Sequence, residues 1–215
     1  MSAARPPVVL LHGLGRTARS MGSLRRHLER RGYATWARSY PSRRMPIAEL
    51  AHLVADWVAA DLGAARPYAV THSLGGILVR HMAVRVDFRS TVMLAPPNRG
   101  SQLATRLLSR PAFAKALGPA ARDIVQGGPW PAPPTPFAVI AGTRAPSIGN
   151  PASWLSRPMG VFGAGEPNDG TLSVAETRIE GMAEHAQIDA SHTWIMRDPR
   201  VHKMVVAWLE TGRMR

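Results

Sequence analysis

Tyr68-Ala69-Val70-Thr71-His72-Ser73-Leu74-Gly75-Gly76-Ile77-Leu78 is the stretch on which the reading of this chain turns. An apolar run stops, a serine follows, and an apolar helical pattern through Met82 begins. A serine on a sharp strand-to-helix turn has its Oγ lifted clear of the sheet. Small residues must flank such a turn, because the strand and helix backbones nearly touch there. The amide of the next residue, Leu74, would then point at developing negative charge, helped by the positive end of the helix. Read alone, the segment also fits an ordinary helix capped by Ser73, since serine is a common first-turn cap and short motifs produce false matches.

Two other segments favour the first reading. Val8-Val9-Leu10-Leu11-His12-Gly13-Leu14-Gly15 is an apolar strand running into a glycine-rich turn, upstream of the serine. Ser191-His192-Thr193 lies near the C-terminus, just before a last helical pattern. A strand with H-G-x-G, a strand with x-x-S-x-G and a late histidine follow one another in the order of the α/β-hydrolases. From about Val8 to Trp208 the chain resembles small α/β-hydrolase esterases and lipases, departing at Thr71, where the elbow usually has its first glycine. The resemblance implies a Ser-His-Asp triad, ester cleavage through an acyl-enzyme on Ser73, and no cofactor.

Composition narrows the field. At 215 residues the chain suits a single domain, 1–215, with a substantial core. No apolar run approaches the ~20 residues of a membrane span. Only Met1 to Pro7 precede the first strand, and the apolar run that follows carries the H-G turn, so no leader is expected and a cytoplasmic location is. Zero cysteines exclude disulfides and thiolate chemistry. The formal charge of +13 raises the question of nucleic acid, but all but two of the 27 basic residues are arginines scattered along the chain. Such a pattern predicts no specific nucleic-acid partner. It does favour anionic substrates, or transient contact with anionic lipid surfaces, at low salt.

Strand-like and helix-like segments alternate, as a parallel sheet with crossover helices requires. Strands are predicted at Val8–Leu11, Tyr33–Ala37, Tyr68–Thr71, Ser90–Leu94, Phe137–Ala141 and Ala186–Asp189, with a short addition at Thr177–Ile179. Helices are predicted at Ala18–Arg31, Ile47–Leu62, Leu74–Arg85, Gln102–Leu108 and Val201–Thr211. In the second helix Ile47, Leu50, Leu53, Val54, Trp57, Val58 and Leu62 share one face, which places Trp57 in the core. The expected architecture is therefore α/β: a mostly parallel sheet of about six strands flanked by helices, a minimal α/β-hydrolase fold without a large cap domain. Excursions at about 96–136 and 142–170, the second holding Trp154 and Phe162, are long enough to shape a pocket.

Ser73 needs a base within hydrogen-bond reach to become a nucleophile. Among eight histidines His192 follows the last core strand, whereas His185 would begin that strand and His202 lies in the terminal helix. The acid that orients the base is expected at Asp169, in the turn Asn168-Asp169-Gly170-Thr171; similar hydrolases carry a D-G turn at this place. Glu166 is the alternative, and Asp189 should point to the opposite face of its strand from His192. The resemblance assigns the second oxyanion amide to Leu14, with Gly15 and Arg16 able to share the role if the loop folds differently. His72 is expected to pack at the elbow rather than to do chemistry.

Leu103, Leu107 and Leu108 give the Gln102–Leu108 helix an apolar side, with Arg106 and Arg110 outward. Such a helix either covers the pocket and opens at a lipid surface or simply packs on the sheet. The partner expected is a small-molecule or lipid ester of medium acyl length. No two histidines have the i, i+4 spacing of a metal-binding helix, and no phosphate-binding loop is present. Acyl transfer or perhydrolysis from the same acyl-serine, and a hydrolase-like binding protein without turnover, are the competing readings.

Overall fold

The computed structural model describes residues 5–126, 128–145, 156 and 159–215. Six strands form one sheet: β1 (Val8–Leu11), β2 (Thr35–Trp36), β3 (Tyr68–His72), β4 (Thr91–Leu94), β5 (Phe137–Gly142) and β6 (Glu184–Ile188). All pairs are parallel, in the order β2-β1-β3-β4-β5-β6. The helices are α1 (Gly22–Arg30), α2 (Ile47–Leu62), α3 (Leu74–Met82), α4 (Gln102–Leu108), α5 (Pro111–Leu117), α6 (Pro119–Gln126), α7 (Val174–Thr177) and α8 (Pro199–Thr211).

The unbroken apolar run of β1 is what a strand covered on both faces needs. Its side chains alternate between two cores. Val9 and Leu11 join a core with α2 and α3, while Val8 and Leu10 join one with α1 and α8. Phe137 and Val139 of β5 fall with the first core, Ala138 and Ile140 with the second. Each fully buried Leu or Ile in these layers contributes roughly 1.5–3 kcal/mol. In α2 the buried line is Ile47, Leu50, Ala51, Val54, Ala55 and Val58, with Leu53, Trp57 and Leu62 half-buried at its margin. Trp57 therefore edges the core rather than filling it.

From β1 the chain goes to one neighbour, β2, and then crosses to the other, β3. The carboxyl ends of β1 and β3 thus flank the point where the winding direction reverses, the usual ligand position in an open parallel sheet. The His12-Gly13 turn and Ser73 both leave the sheet there.

Several expected boundaries move. Thr177–Ile179 is not a strand: Ser173 and Glu176 form a capping box that starts the short helix α7, ending at Thr177. α3 stops at Met82 rather than Arg85, and β6 begins at Glu184, before Ala186. Within the 96–136 excursion the chain forms α5 and α6 as well as the expected α4. The Pro/Gly-rich run behind α6 is held by Arg80 of α3, which donates to the carbonyls of Pro131 (2.5 Å) and Trp130 (3.0 Å). Burial lowers the pKa of this arginine to about 10. In the second excursion, residues 146–155 and 157–158, including Trp154, lie outside the described residues. No helix of the described residues is long and apolar enough to cross a membrane.

Candidate active site

Ser73 sits between β3 and α3 with φ 53° and ψ −122°. That left-handed conformation costs a residue with a Cβ on the order of 1–3 kcal/mol. The surroundings enforce it. Ser73 N donates to the Leu94 carbonyl at 2.9 Å and Gly76 N to the Ser73 carbonyl at 2.8 Å. A Cβ at Gly75 would stand 2.7 Å from the Leu11 carbonyl oxygen, and one at Gly76 would stand 2.8 Å from Pro96 Cβ. Gly75 is therefore required by a backbone contact and Gly76 by the ring of Pro96. Thr71, in the place of the elbow's usual first glycine, is accommodated as a fully buried β3 residue, its hydroxyl without a partner among the described residues.

Asp169 and His192 come together. Asp169 is 1% exposed, and its Oδ2 lies 2.8 Å from His192 Nδ1. Its Oδ1 accepts from the amides of Thr171 (2.9 Å) and Leu172 (2.7 Å), and its backbone carbonyl accepts from His192 N at 3.0 Å. With Nδ1 turned to the carboxylate, Nε2 is the ring nitrogen left for the pocket that Ser73 and His192 both line. The turn is braced by Asn168, whose Oδ1 accepts from Gly170 N at 3.0 Å. Gly142, at the end of β5, permits the approach: a Cβ there would stand 2.8 Å from Asp169 Cβ and 2.5 Å from the Ala190 carbonyl oxygen.

The other candidates are engaged elsewhere. Glu166 Oε2 accepts from Gly163 N at 3.0 Å. Asp189 faces solvent and pairs with Arg144 at 2.8 Å. His185 meets Thr177 Oγ1 at 3.3 Å, and His202 Nε2 donates to the Met196 carbonyl at 2.9 Å.

The three amides of the turn after β1 differ in their partners. Gly15 N donates to Ser42 Oγ at 2.9 Å and Arg16 N to the Gly13 carbonyl at 3.2 Å. The Leu14 amide meets no acceptor among the described residues, nor does that of Leu74 at the start of α3. His12 holds the turn: its ring stacks on Tyr40 at 3.7 Å, Nδ1 donates to the Gly13 carbonyl at 2.9 Å, and Nε2 accepts from Tyr40 N at 3.2 Å. The Tyr40 hydroxyl donates to the His12 carbonyl. Burial lowers the His12 pKa to about 4, so the ring is neutral. Because the Gly13 carbonyl and the Leu14 N–H share one peptide plane, fixing the first aims the second.

Sequence reasoning missed Tyr40 and Ser42, which no motif marks, and did not specify the bond through which His72 packs at the elbow. His72 Nε2 donates to the His192 carbonyl at 3.0 Å, tying the elbow to the histidine loop. Burial, with the neighbouring His192 and Arg16, holds its pKa well below the ordinary value.

The pocket encloses about 230 Å³. Its apolar wall comes from Leu103 and Leu107 of α4, Leu117 of α5, and Ala121 and Ile124 of α6. Leu108, expected on the same face, is half-buried and does not line it. From behind, Val161 packs on Leu103 and Leu107 in a small separate cluster, with Phe162 at its margin. Among the described residues no three His, Asp or Glu side chains are grouped to hold a metal ion.

The sequence matches the alpha/beta hydrolase family profile over residues 8–210. No curated protein matches it in sequence. Among solved structures it is similar to the mature form of the Bacillus licheniformis lipase BlEst2, with a TM-score of 0.74 and 18% identity over 99% of this chain and 94% of that one. It spans about half (51%) of the propeptide form of that lipase. A metagenomic carboxyl esterase superimposes with a TM-score of 0.65 at 22% identity, over 89% of this chain and 66% of that one. A Paleococcus ferrophilus monoacylglycerol lipase gives 0.60 at 20% identity, over 95% of each chain. At these identities the likeness is one of fold.

Proposed function

This chain belongs to the alpha/beta hydrolase family, and from that membership we propose that it hydrolyses carboxylic esters through an acyl-enzyme on Ser73. The observation that carries the reading is the Asp169–His192 bond, placed beside a strained serine in one apolar pocket. Ser73 Oγ attacks the ester carbonyl while His192 Nε2 takes its proton, and Asp169 stabilises the imidazolium that results. Negative charge collects on the former carbonyl oxygen, where the Leu14 and Leu74 amides donate to it. Removing one such donor typically costs ~10²–10³ in kcat. Collapse of the intermediate breaks the bond to the alcohol oxygen, which leaves with the proton from His192. Water, deprotonated by the same nitrogen, then releases the acid and restores the serine. The apolar wall suits an acyl chain of medium length, and the excess of arginine favours transient contact with anionic lipid surfaces.

A fluorophosphonate probe tests the mechanism directly. Labelling should map to Ser73, and p-nitrophenyl butyrate should be turned over. A protein that binds without turnover would not label, and one that transfers the acyl group would yield mainly the new ester when an alcohol is supplied.

A further inference from the structure

Arg16 lies two residues beyond Leu14 on the turn after β1, half-buried, and lines the pocket together with Ser73, His192 and Thr193. Its backbone amide is bonded to the Gly13 carbonyl, but its guanidinium has no ion-pair or hydrogen-bond partner among the described residues. All 14 acidic residues of the sequence lie among the described residues, and none of them pairs with it. The charge acting on it has the same sign: burial first, and then Arg197, lower its pKa. Arg197 is itself exposed, with its guanidinium 4.2 Å from the centre of the Trp194 ring.

A solvated surface arginine needs no partner, but one set into a pocket wall loses water on every side that a ligand covers. Five N–H donors in a fixed fork are then left to be satisfied. An oxygen anion is the group that fits them, through two parallel charge-assisted hydrogen bonds. The lining of the pocket has two unlike parts. Leu103, Leu107 and Ile124 form an apolar one. Arg16 belongs to the other, near the turn Ile195–Arg197 that follows the His192 loop. In the proposed reaction His192 passes its proton to the departing alcohol, so the alcohol portion occupies the His192 side and the acyl chain the apolar one.

We propose that the site selects carboxylic esters whose alcohol portion carries an oxygen anion, a carboxylate or a phosphate, and that Arg16 is the residue that recognises it. This rests on the assignment of Ser73 and His192 made above.

Two matched pairs of esters with the same acyl chain separate the sources of the anion. One is 4-butyryloxybenzoate against its methyl ester, the other 1-acylglycerol 3-phosphate against 1-acylglycerol. In the wild type the anionic member of at least one pair should have the higher kcat/KM. Arg16→Gln should lower the anionic-to-neutral ratio at least tenfold, and Arg16→Lys should retain part of it. A change in the first pair alone identifies a carboxylate, in the second alone a phosphate. A ratio that is the same in wild type and Arg16→Gln for both pairs overturns the proposal. A binding measurement needs no turnover: in a Ser73→Ala background, calorimetry at low salt should show 4-hydroxybenzoate or glycerol 3-phosphate binding that Arg16→Gln weakens at least tenfold. Equal affinity, or no saturable binding of either probe, overturns the assignment of Arg16. Absence of ester turnover and of Ser73 labelling, with that binding intact, would strike the hydrolase reading and leave the anion site standing.

Discussion

His72 and His192 are joined through the ring of the first and the backbone of the second: His72 Nε2 donates to the His192 carbonyl across 3.0 Å, with the two rings 4.8 Å apart. A residue next to the proposed nucleophile thereby fixes the loop that carries the proposed base. His72→Phe would keep the ring volume, remove the donor and leave a buried carbonyl unsatisfied. We expect kcat to fall by roughly tenfold or more with KM little changed, because small misplacements of a catalytic group are costly. His72→Gln, which can still donate, should recover part of the loss. Steady-state kinetics on one soluble ester decide it, and an unchanged kcat in His72→Phe would reduce His72 to packing.

Ser73 separates activity from stability. Ser73→Ala and Ser73→Gly should both lose several orders of magnitude in kcat. At φ 53°, alanine keeps the strain of a Cβ and glycine does not. Offset by the greater freedom of glycine in the unfolded chain, the difference should favour Ser73→Gly by about 1 kcal/mol, readable as a higher urea midpoint. A less stable glycine variant would mean that the elbow is not strained.

The acid assignment turns on three carboxylates. Asp169→Asn should lower kcat steeply, whereas Glu166→Gln and Asp189→Asn should stay near wild type, because those two bond to Gly163 and Arg144 instead. Combined with Ser73→Ala, the Asp169 substitution should add almost nothing, as expected for residues that act as one unit. A crippled Glu166→Gln with a healthy Asp169→Asn would reverse the assignment.

Acid should destabilise the fold in a defined window. Unfolded, His12 takes up a proton near 6.5; folded, it does so only near 4. Between those values the unfolded chain binds more protons, so stability is complete above about 6.5 and declines as pH falls towards 4. For this one histidine the loss approaches about 3 kcal/mol. His72 acts in the same direction. Urea midpoints measured across the range should fall, and less steeply in His12→Gln; parallel curves would show that His12 does not contribute.

The helix Gln102–Leu108 is pinned at its start, since Gln102 N donates to Glu176 Oε1 at 2.5 Å. A wall held in this way should not swing open at an interface. Turnover of a sparingly soluble ester should rise smoothly through its solubility limit. A sharp increase at that limit would show interfacial opening.

The sheet was legible because parallel strands buried on both faces are written as unbroken apolar runs, as in Val8–Leu11 and Phe137–Gly142. The elbow was legible because strand, serine, paired glycines and helix follow one another in a single stretch, from Tyr68 to Met82. Residues whose work depends on distant neighbours were not. Tyr40 and Ser42 hold the turn after β1 from 28 and 27 residues away. The helices Pro111–Leu117 and Pro119–Gln126 lack a long periodic stripe, and in Pro111–Leu117 no residue is fully buried. The strand expected at Thr177–Ile179 failed because Ser173 and Glu176 cap a helical turn just before it.

The small cluster of Leu103, Leu107 and Val161 stands apart from the two cores that clamp the sheet. Segments with few buried apolar contacts open at a lower free energy than the body of a domain. Heat or denaturant should therefore reach this leucine wall first, while the elbow and the Asp169–His192 pair remain supported by the sheet. Inactivation should then precede unfolding, and activity lost under mild stress should return when the stress is removed.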